Sequence, residues 1–182
     1  MRKIPCEYEN PVDNIFIYLC QYDAIYRNLG MTPNNLTSIS LIISLLSSYF
    51  LFKGNNVLAA ILFLVSYYYD CLDGYYAREY NMVTEFGDYY DHISDITKMV
   101  VLLSVMFVKN KNKFVPTFGV LLVLYILMSM HLGCQEKMYP KKKKDSLSIL
   151  EQLCPNPSMI QYTKYFGVGT LHIIIAVIIL LY

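Results

Sequence analysis

Four aspartates stand at spacings that bring them together. Residues three and four apart share one face of an α-helix. Asp70, Asp73 and Ala77 therefore lie on one face, with Gly74 and Arg78 beside them. Thr84, Gly87, Asp91, Asp95 and Lys98 share a second face, within an arc of about 80° at 100° per residue, and Asp88 sits at its edge. Two antiparallel helices joined by a short polar turn would gather the four carboxylates. In a low-dielectric pocket these would repel one another unless cations sat among them. Two divalent ions match that charge, and all-oxygen ligation suits Mg²⁺ or Mn²⁺ rather than zinc. Two such ions about 3.5–4 Å apart form the clamp that holds phosphates during displacement at phosphorus. Mg²⁺ also keeps positions open for substrate phosphates, so a diphosphate is a natural ligand. Gly74, Ala77 and Gly87 lack bulk and would let a ligand or the facing helix come close to the backbone. Arg78 can stack on or pair with a diphosphate. Two other readings stand beside this one. The first is an ion-pair network without catalysis, although Arg78 and Lys98 cannot neutralise four carboxylates. The second is an ion pathway, since intramembrane carboxylates mark those too.

The elements that must position these residues belong to a chain of 182 residues, one domain (1–182) by length. It is 55% hydrophobic and only 16% charged, where soluble domains carry about 25% charged residues. The mean hydropathy is +0.37. An all-α integral membrane protein is expected. Disorder, a disulfide-rich secreted module and a nucleic-acid binder are disfavoured, and a net charge of +1 offers no overall attraction to polyanions. Cys6, Cys20, Cys71, Cys134 and Cys154 are odd in number and show no CxxC pair, so reduced, mostly buried thiols are expected rather than a zinc site. Glu7, Glu9, Asp13 and Asp23 interrupt any apolar core of a cleavable signal peptide.

An amphipathic helix over 11–29, capped by Asp13 or Asn14 and stopped at Gly30, is too polar to span and is placed in the interface plane. Ile15, Leu19, Tyr22 and Tyr26 form its apolar stripe, while Asp13, Gln21, Asp23 and Arg27 point elsewhere. Five spans follow, at about 36–53, 57–78, 84–108, 114–133 and 159–182. With the N-terminus inside, nine basic residues (Arg2, Lys3, Arg27, Arg78, Lys137 and the lysine run 141–144) fall on one side. Lys53, Lys109, Lys111 and Lys113 make four on the other. The first side is expected to be cytoplasmic, and the aspartates open toward it. The lysine run reads as a topology determinant, with attraction to anionic headgroups as the alternative.

The spacing Asp70-x2-Asp73-Gly74-x2-Ala77-Arg78-x8-Gly87-x3-Asp91-x3-Asp95 resembles the signature of the class I CDP-alcohol phosphatidyltransferase family, with eight identities over 26 positions. Thr32-Pro33-Asn34-Asn35-Leu36-Thr37 is similar to the family's turn before its first span, and the resemblance covers roughly residues 10–135. It implies an integral membrane enzyme, a homodimer with six spans behind an interfacial helix. Asp70 and Asp91 would bridge two Mg²⁺ or Mn²⁺ ions. Asp73 would complete the first site and Asp95 the second, and Asp95 would also serve as general base. Gly74, Arg78 and Thr84 would contact the CDP moiety, and Pro33, Asn34, Asn35 and Leu36 would help to close over it. The implied reaction moves a substituted phosphate from a CDP-activated alcohol, CDP-diacylglycerol first among them, to an acceptor hydroxyl in the membrane, releasing CMP.

The sequence departs from that pattern in its count of five spans, the last ending in an apolar run. Besides Arg78, the spans offer only Lys98 and Lys164, so an uncharged or zwitterionic acceptor is expected. The pair Asp91-His92 is similar to one in aminoalcohol phosphotransferases, which join CDP-choline or CDP-ethanolamine to diacylglycerol; a histidine packed on a neighbouring helix is the alternative. His131 and His172 read as buried polar side chains. The tyrosines at 67–69, 75 and 76 read as interface anchors, with stacking on the cytosine as the alternative for one of them. A divalent-ion transporter and a catalytically dead scaffold are the rival functions.

Overall fold

Asn10, rather than Asp13 or Asn14, opens the first helix: its side-chain oxygen accepts from the N–H groups of Val12 and Asp13, and Pro11 fills the first turn. The computed structural model describes residues 2–139 and 146–182. The lysine run 141–144 lies outside the described residues. The expected 11–29 helix is two pieces, α1 (Pro11–Leu19) and α2 (Ala24–Asn28), joined by a 3₁₀ turn at Cys20–Tyr22. Ile15, Tyr22, Ile25 and Leu29 turn outward and are exposed, whereas Asp13 and Asp23 are buried. The polar face packs on the bundle and the apolar face looks away from it, as suits a helix lying at a lipid surface.

Four long helices follow: α3 (Pro33–Phe52), α4 (Asn56–Glu79), α5 (Glu85–Lys109) and α6 (Lys111–Met138). Thr32 and Asn35 cap α3 reciprocally, and Gly54 turns the chain into α4 with φ of +85°. The last apolar stretch is broken into a short 3₁₀ turn Pro157–Met159, α7 (Ile160–Thr163), a second turn Lys164–Phe166, and α8 (Val168–Leu181). Four helical stretches among the described residues are long and apolar enough to cross a membrane: α3, α4, α6 and Pro157–Leu181. The third expected span, α5, is as long but carries Asp88, Asp91, Asp95 and Lys98 in its first half. The molecule is an all-α integral membrane protein, with no strand among the described residues.

Helix α3 packs along both α4 and α5, while α4 and α5 scarcely approach each other. A stripe of small residues explains the first contact. Ser40 and Ser66 exchange hydrogen bonds with each other's backbone carbonyls at 2.9 Å, and Ser47 donates to the Ala59 carbonyl at 2.7 Å. Beyond them Leu51, Phe63, Leu102, Met106, Ile175 and Ile179 form the apolar core between α3, α4, α5 and α8. One expectation is corrected. Cys134 and Cys154 are disulfide-bonded, tying the end of α6 to the Ser146–Leu153 segment; Cys6, Cys20 and Cys71 are free. Spacing could not show this pairing, because 20 residues separate the two thiols and the fold alone brings them together.

Candidate active site

The site begins at two helix ends. Tyr80 closes α4, Asn81 takes a left-handed φ of +54°, and Thr84 opens α5 by accepting from the Gly87 N–H at 3.0 Å. This turn sets α4 and α5 antiparallel, and the gap between them is bridged by side chains. Carboxylate oxygens of Asp70, Asp91 and Asp95 lie within 4.8 Å of one another. Lys98 Nζ sits among them, 2.5 Å from Asp70 Oδ1 and 2.7 Å from Asp95 Oδ1, and donates to Ser40 Oγ at 3.1 Å. Asp73 stands one turn along α4 from Asp70 and outside that group of three. It is buried and accepts from Thr37 Oγ1 at 2.5 Å. Asp91 Oδ1 is buried without a hydrogen-bond partner.

A cavity of about 420 Å³ opens over this cluster. Asp73 and Asp91 line it, while Asp70, Asp95 and Lys98 do not. Pro33, Asn34, Gly74, Arg78 and Thr84 also line it, as do Ala77 and Gly87. Arg78 lies over Gly74 so closely that a Cβ there would meet Nη1 at 3.1 Å. A Cβ on Gly87 would come within 3.0 Å of Thr84 Oγ1 and 3.3 Å of Asn34 Oδ1. The small residues at 74 and 87 therefore leave room for Arg78, Thr84 and Asn34 at the wall. Asn35 and Leu36 do not line the cavity. Asn35 turns back to cap α3, and Leu36 is fully buried in a core with Cys20, Leu72 and Tyr76.

Several residues at the site carried no signal in the spacing of the aspartates. Thr37 and Ser40 hold Asp73 and Lys98 from α3, and polar residues three apart in a charge-free span could have indicated such cross-helix bonds. Arg2, Lys3 and Tyr139 reach the cavity wall from distant parts of the chain. His92 turns back on its own helix, its Nδ1 2.7 Å from the Asp88 carbonyl oxygen. His131 is buried with Thr163 Oγ1 and Gln135 Nε2, and His172 stacks on Tyr67 with ring centroids 3.9 Å apart.

Fold and site together define an integral membrane protein with a carboxylate cluster at a cavity whose wall carries charged side chains of both signs. Residues 30–182 match the family described as CDP-alcohol phosphatidyltransferase. The chain belongs to the CDP-alcohol phosphatidyltransferase family. The archaetidylinositol phosphate synthase of Pyrococcus horikoshii is similar, 43% identical over 68 residues, which cover 37% of this chain and 36% of the relative. The CDP-diacylglycerol–glycerol-3-phosphate 3-phosphatidyltransferase of Rickettsia typhi is 40% identical over 84 residues, covering 44% of this chain and 46% of the relative. The matches thus span less than half the length of these relatives. No solved structure matches the chain at a significant level.

Proposed function

We propose that the chain, as one membrane-embedded domain over 1–182, is a transferase that moves a substituted phosphate from CDP-diacylglycerol to an acceptor hydroxyl and releases CMP. The observation that carries this reading is the carboxylate group of Asp70, Asp91 and Asp95, of which Asp91 stands in the wall of a cavity also lined by Arg78, Thr84 and Asn34. Membership of the family and the donor in the name of the Rickettsia typhi relative agree with it. The same features favour transfer over ion transport.

The donor set suits two divalent ions, Mg²⁺ or Mn²⁺. It is all oxygen, and the partnerless, buried Asp91 Oδ1 is a lone pair in want of a cation. Asp70 and Asp91 would be shared between the ions, with Asp73 completing one site and Asp95 the other. Bound there, the ions supply charge neutralisation to the diphosphate. The protein's own residues do the rest. Gly74 gives Arg78 the space to lay its guanidinium against the diphosphate, and Pro33, Asn34 and Thr84 border the nucleotide. Asp95 accepts the acceptor's hydroxyl proton as that oxygen bonds to the β-phosphorus, and the bond from phosphorus to the CMP oxygen breaks. Lys98 holds the Asp95 carboxylate from the next helical turn.

This reading includes a homodimer and a site that faces the cytoplasm, the side that the basic residues favour. The Cys134–Cys154 bond lies at the same end of the bundle, where a reducing cytosol disfavours disulfides. Trapping thiols in intact cells therefore tests the orientation: a fully oxidised pair in the cellular protein argues for the opposite side. The activity is tested by CMP release from CDP-diacylglycerol by purified protein with Mn²⁺ and a panel of inositol, glycerol 3-phosphate, serine and diacylglycerol. Movement of Mn²⁺ across vesicles without CMP release from any pair would replace the transferase with a transporter.

A further inference from the structure

The spans alone lead to the expectation of an uncharged or zwitterionic acceptor, but the structure adds two cations that no span contributes. Arg2 and Lys3 line the same cavity as Asp73 and Asp91. Two separate elements hold them there. Lys3 Nζ is ion-paired with Glu136 Oε1 near the end of α6, and Arg2 donates from Nη1 to Asn14 Oδ1 on α1. Glu136 is almost fully buried, whereas the Lys3 side chain stays 22% exposed, so its remaining ammonium protons can serve a ligand. Arg2 bonds to a neutral amide in that contact, and the acid near both cations, Glu9, is buried, which pushes its carboxyl up from the usual value. Tyr139 joins this side of the wall with a hydroxyl that can donate.

The acids of the lining, Asp73, Asp88 and Asp91, come from α4 and α5, and so does the cation Arg78; Arg2 and Lys3 are the lining cations that come from the segment before α1. A guanidinium fork beside an ammonium is the pairing that recognises a phosphate monoester. The residues assigned above to the CDP moiety all come from α3, α4 and α5, so a second anion is what the N-terminal pair is placed to meet. We propose that Arg2 and Lys3 form a subsite for a phosphate carried by the acceptor, which makes the acceptor a phosphorylated alcohol. The proposal rests on the transferase reading and names the acceptor class of that same site. The donor's diphosphate is the other source of the same chemistry, and the two separate experimentally.

The test uses the full chain in detergent with Mn²⁺ and the double variant R2Q/K3Q. Steady-state CMP release is measured from CDP-diacylglycerol with glycerol 3-phosphate, and with glycerol as its unphosphorylated control. Binding of inorganic phosphate and of CDP-diacylglycerol is measured by calorimetry without turnover. The wild type should prefer glycerol 3-phosphate over glycerol by about tenfold or more in kcat/KM, the scale of charge-assisted hydrogen bonds. R2Q/K3Q should raise the acceptor KM about tenfold while kcat and the donor KM stay within about threefold, and it should lose phosphate binding in parallel. The charge-preserving variant R2K/K3R should restore most of the acceptor affinity, which a mere folding defect would not allow. Equal use of glycerol and glycerol 3-phosphate overturns the proposal. So does a rise in donor KM at unchanged acceptor KM, which would give the pair to the diphosphate. If no pair of substrates releases CMP, the transferase reading fails by itself. Phosphate binding then still decides the subsite, because retention of it in R2Q/K3Q overturns the assignment.

Discussion

Asp91 has the most to lose from a change of charge at the site. Its Oδ1 is buried without a hydrogen-bond partner, while Asp70 and Asp95 share Lys98 and Asp73 has Thr37. A cation bound there would satisfy that oxygen. Asp91→Asn is expected to abolish CMP release and to weaken Mn²⁺ binding by about tenfold or more. Unchanged Mn²⁺ affinity in that variant would remove the basis of the two-ion assignment. Asp95 is different: its side chain is 52% exposed, open to an acceptor, and Lys98 Nζ holds it at 2.7 Å. Asp95→Asn should keep CDP-diacylglycerol binding within about tenfold while turnover falls by about 10²–10⁴, the range for loss of a general base. Affinity and turnover measured side by side separate the two roles. Near-normal turnover would exclude Asp95 as the base, and loss of donor binding as deep as in Asp91→Asn would make it chiefly a metal ligand.

Among the elements, α1 depends most on conditions. Asp13, on the face of α1 that meets the bundle, accepts a hydrogen bond from the Tyr67 hydroxyl, and it packs where Gly169 of α8 has no side chain. Burial, with Glu9 adding repulsion and the Tyr67 bond opposing, pushes the Asp13 carboxyl from 3.8 up to about 7. The folded chain therefore keeps a proton that the unfolded chain releases above 3.8. The contribution of this group is full below that value and is lost as pH rises through about 7. Thermal unfolding in detergent from pH 4 to pH 8 should show stability declining over that window, and Asp13→Asn should flatten the decline. A slope unchanged in the variant would place the titrating group elsewhere. Gly169→Ala should destabilise the same junction by about 1–3 kcal/mol, because its Cβ would run into Asp13 and Val12. A melting temperature equal to the wild type's would show that α1 can shift without cost.

At the scale of the whole molecule, α6 and the segment after it are joined by chemistry as well as packing. The Leu150 carbonyl lies against Gly133, where no Cβ could fit, and the Cys134–Cys154 bond closes the loop beside it. Closing a loop of this size removes unfolded-state entropy worth about 3 kcal/mol. Cys154→Ser, or a reductant, should lower the unfolding temperature, and the variant should no longer respond to the reductant. A wild-type melt indifferent to reductant would show that the bond adds nothing to stability. The same junction holds Glu136, the partner of Lys3, so loosening it should also weaken use of a phosphorylated acceptor, read as a higher acceptor KM with kcat retained.

The character of the chain as a membrane helix bundle and the grouping of Asp70, Asp91 and Asp95 could be read from the sequence, because both rest on local periodicity. Three or four residues make a helical face, and some twenty apolar ones make a span. Thr84 and Gly87 share a face with Asp91 and Asp95 whatever the rest of the chain does. Only the tertiary structure decided what meets that face. It set Thr37 and Ser40 of α3 against Asp73 and Lys98, and it took Asn35 into a cap and Leu36 into the core. It also buried Asp13 and Asp23, which periodicity had set apart from the apolar stripe without saying what they meet, against the bundle. Lys3 and Glu136 are 133 residues apart, and Cys134 and Cys154 are 20 apart. Periodicity carries no information over such separations. The first contact exists because the segment before α1 meets the end of α6, the second because the chain after α6 folds back on that helix, and both are settled by burial summed over the whole chain.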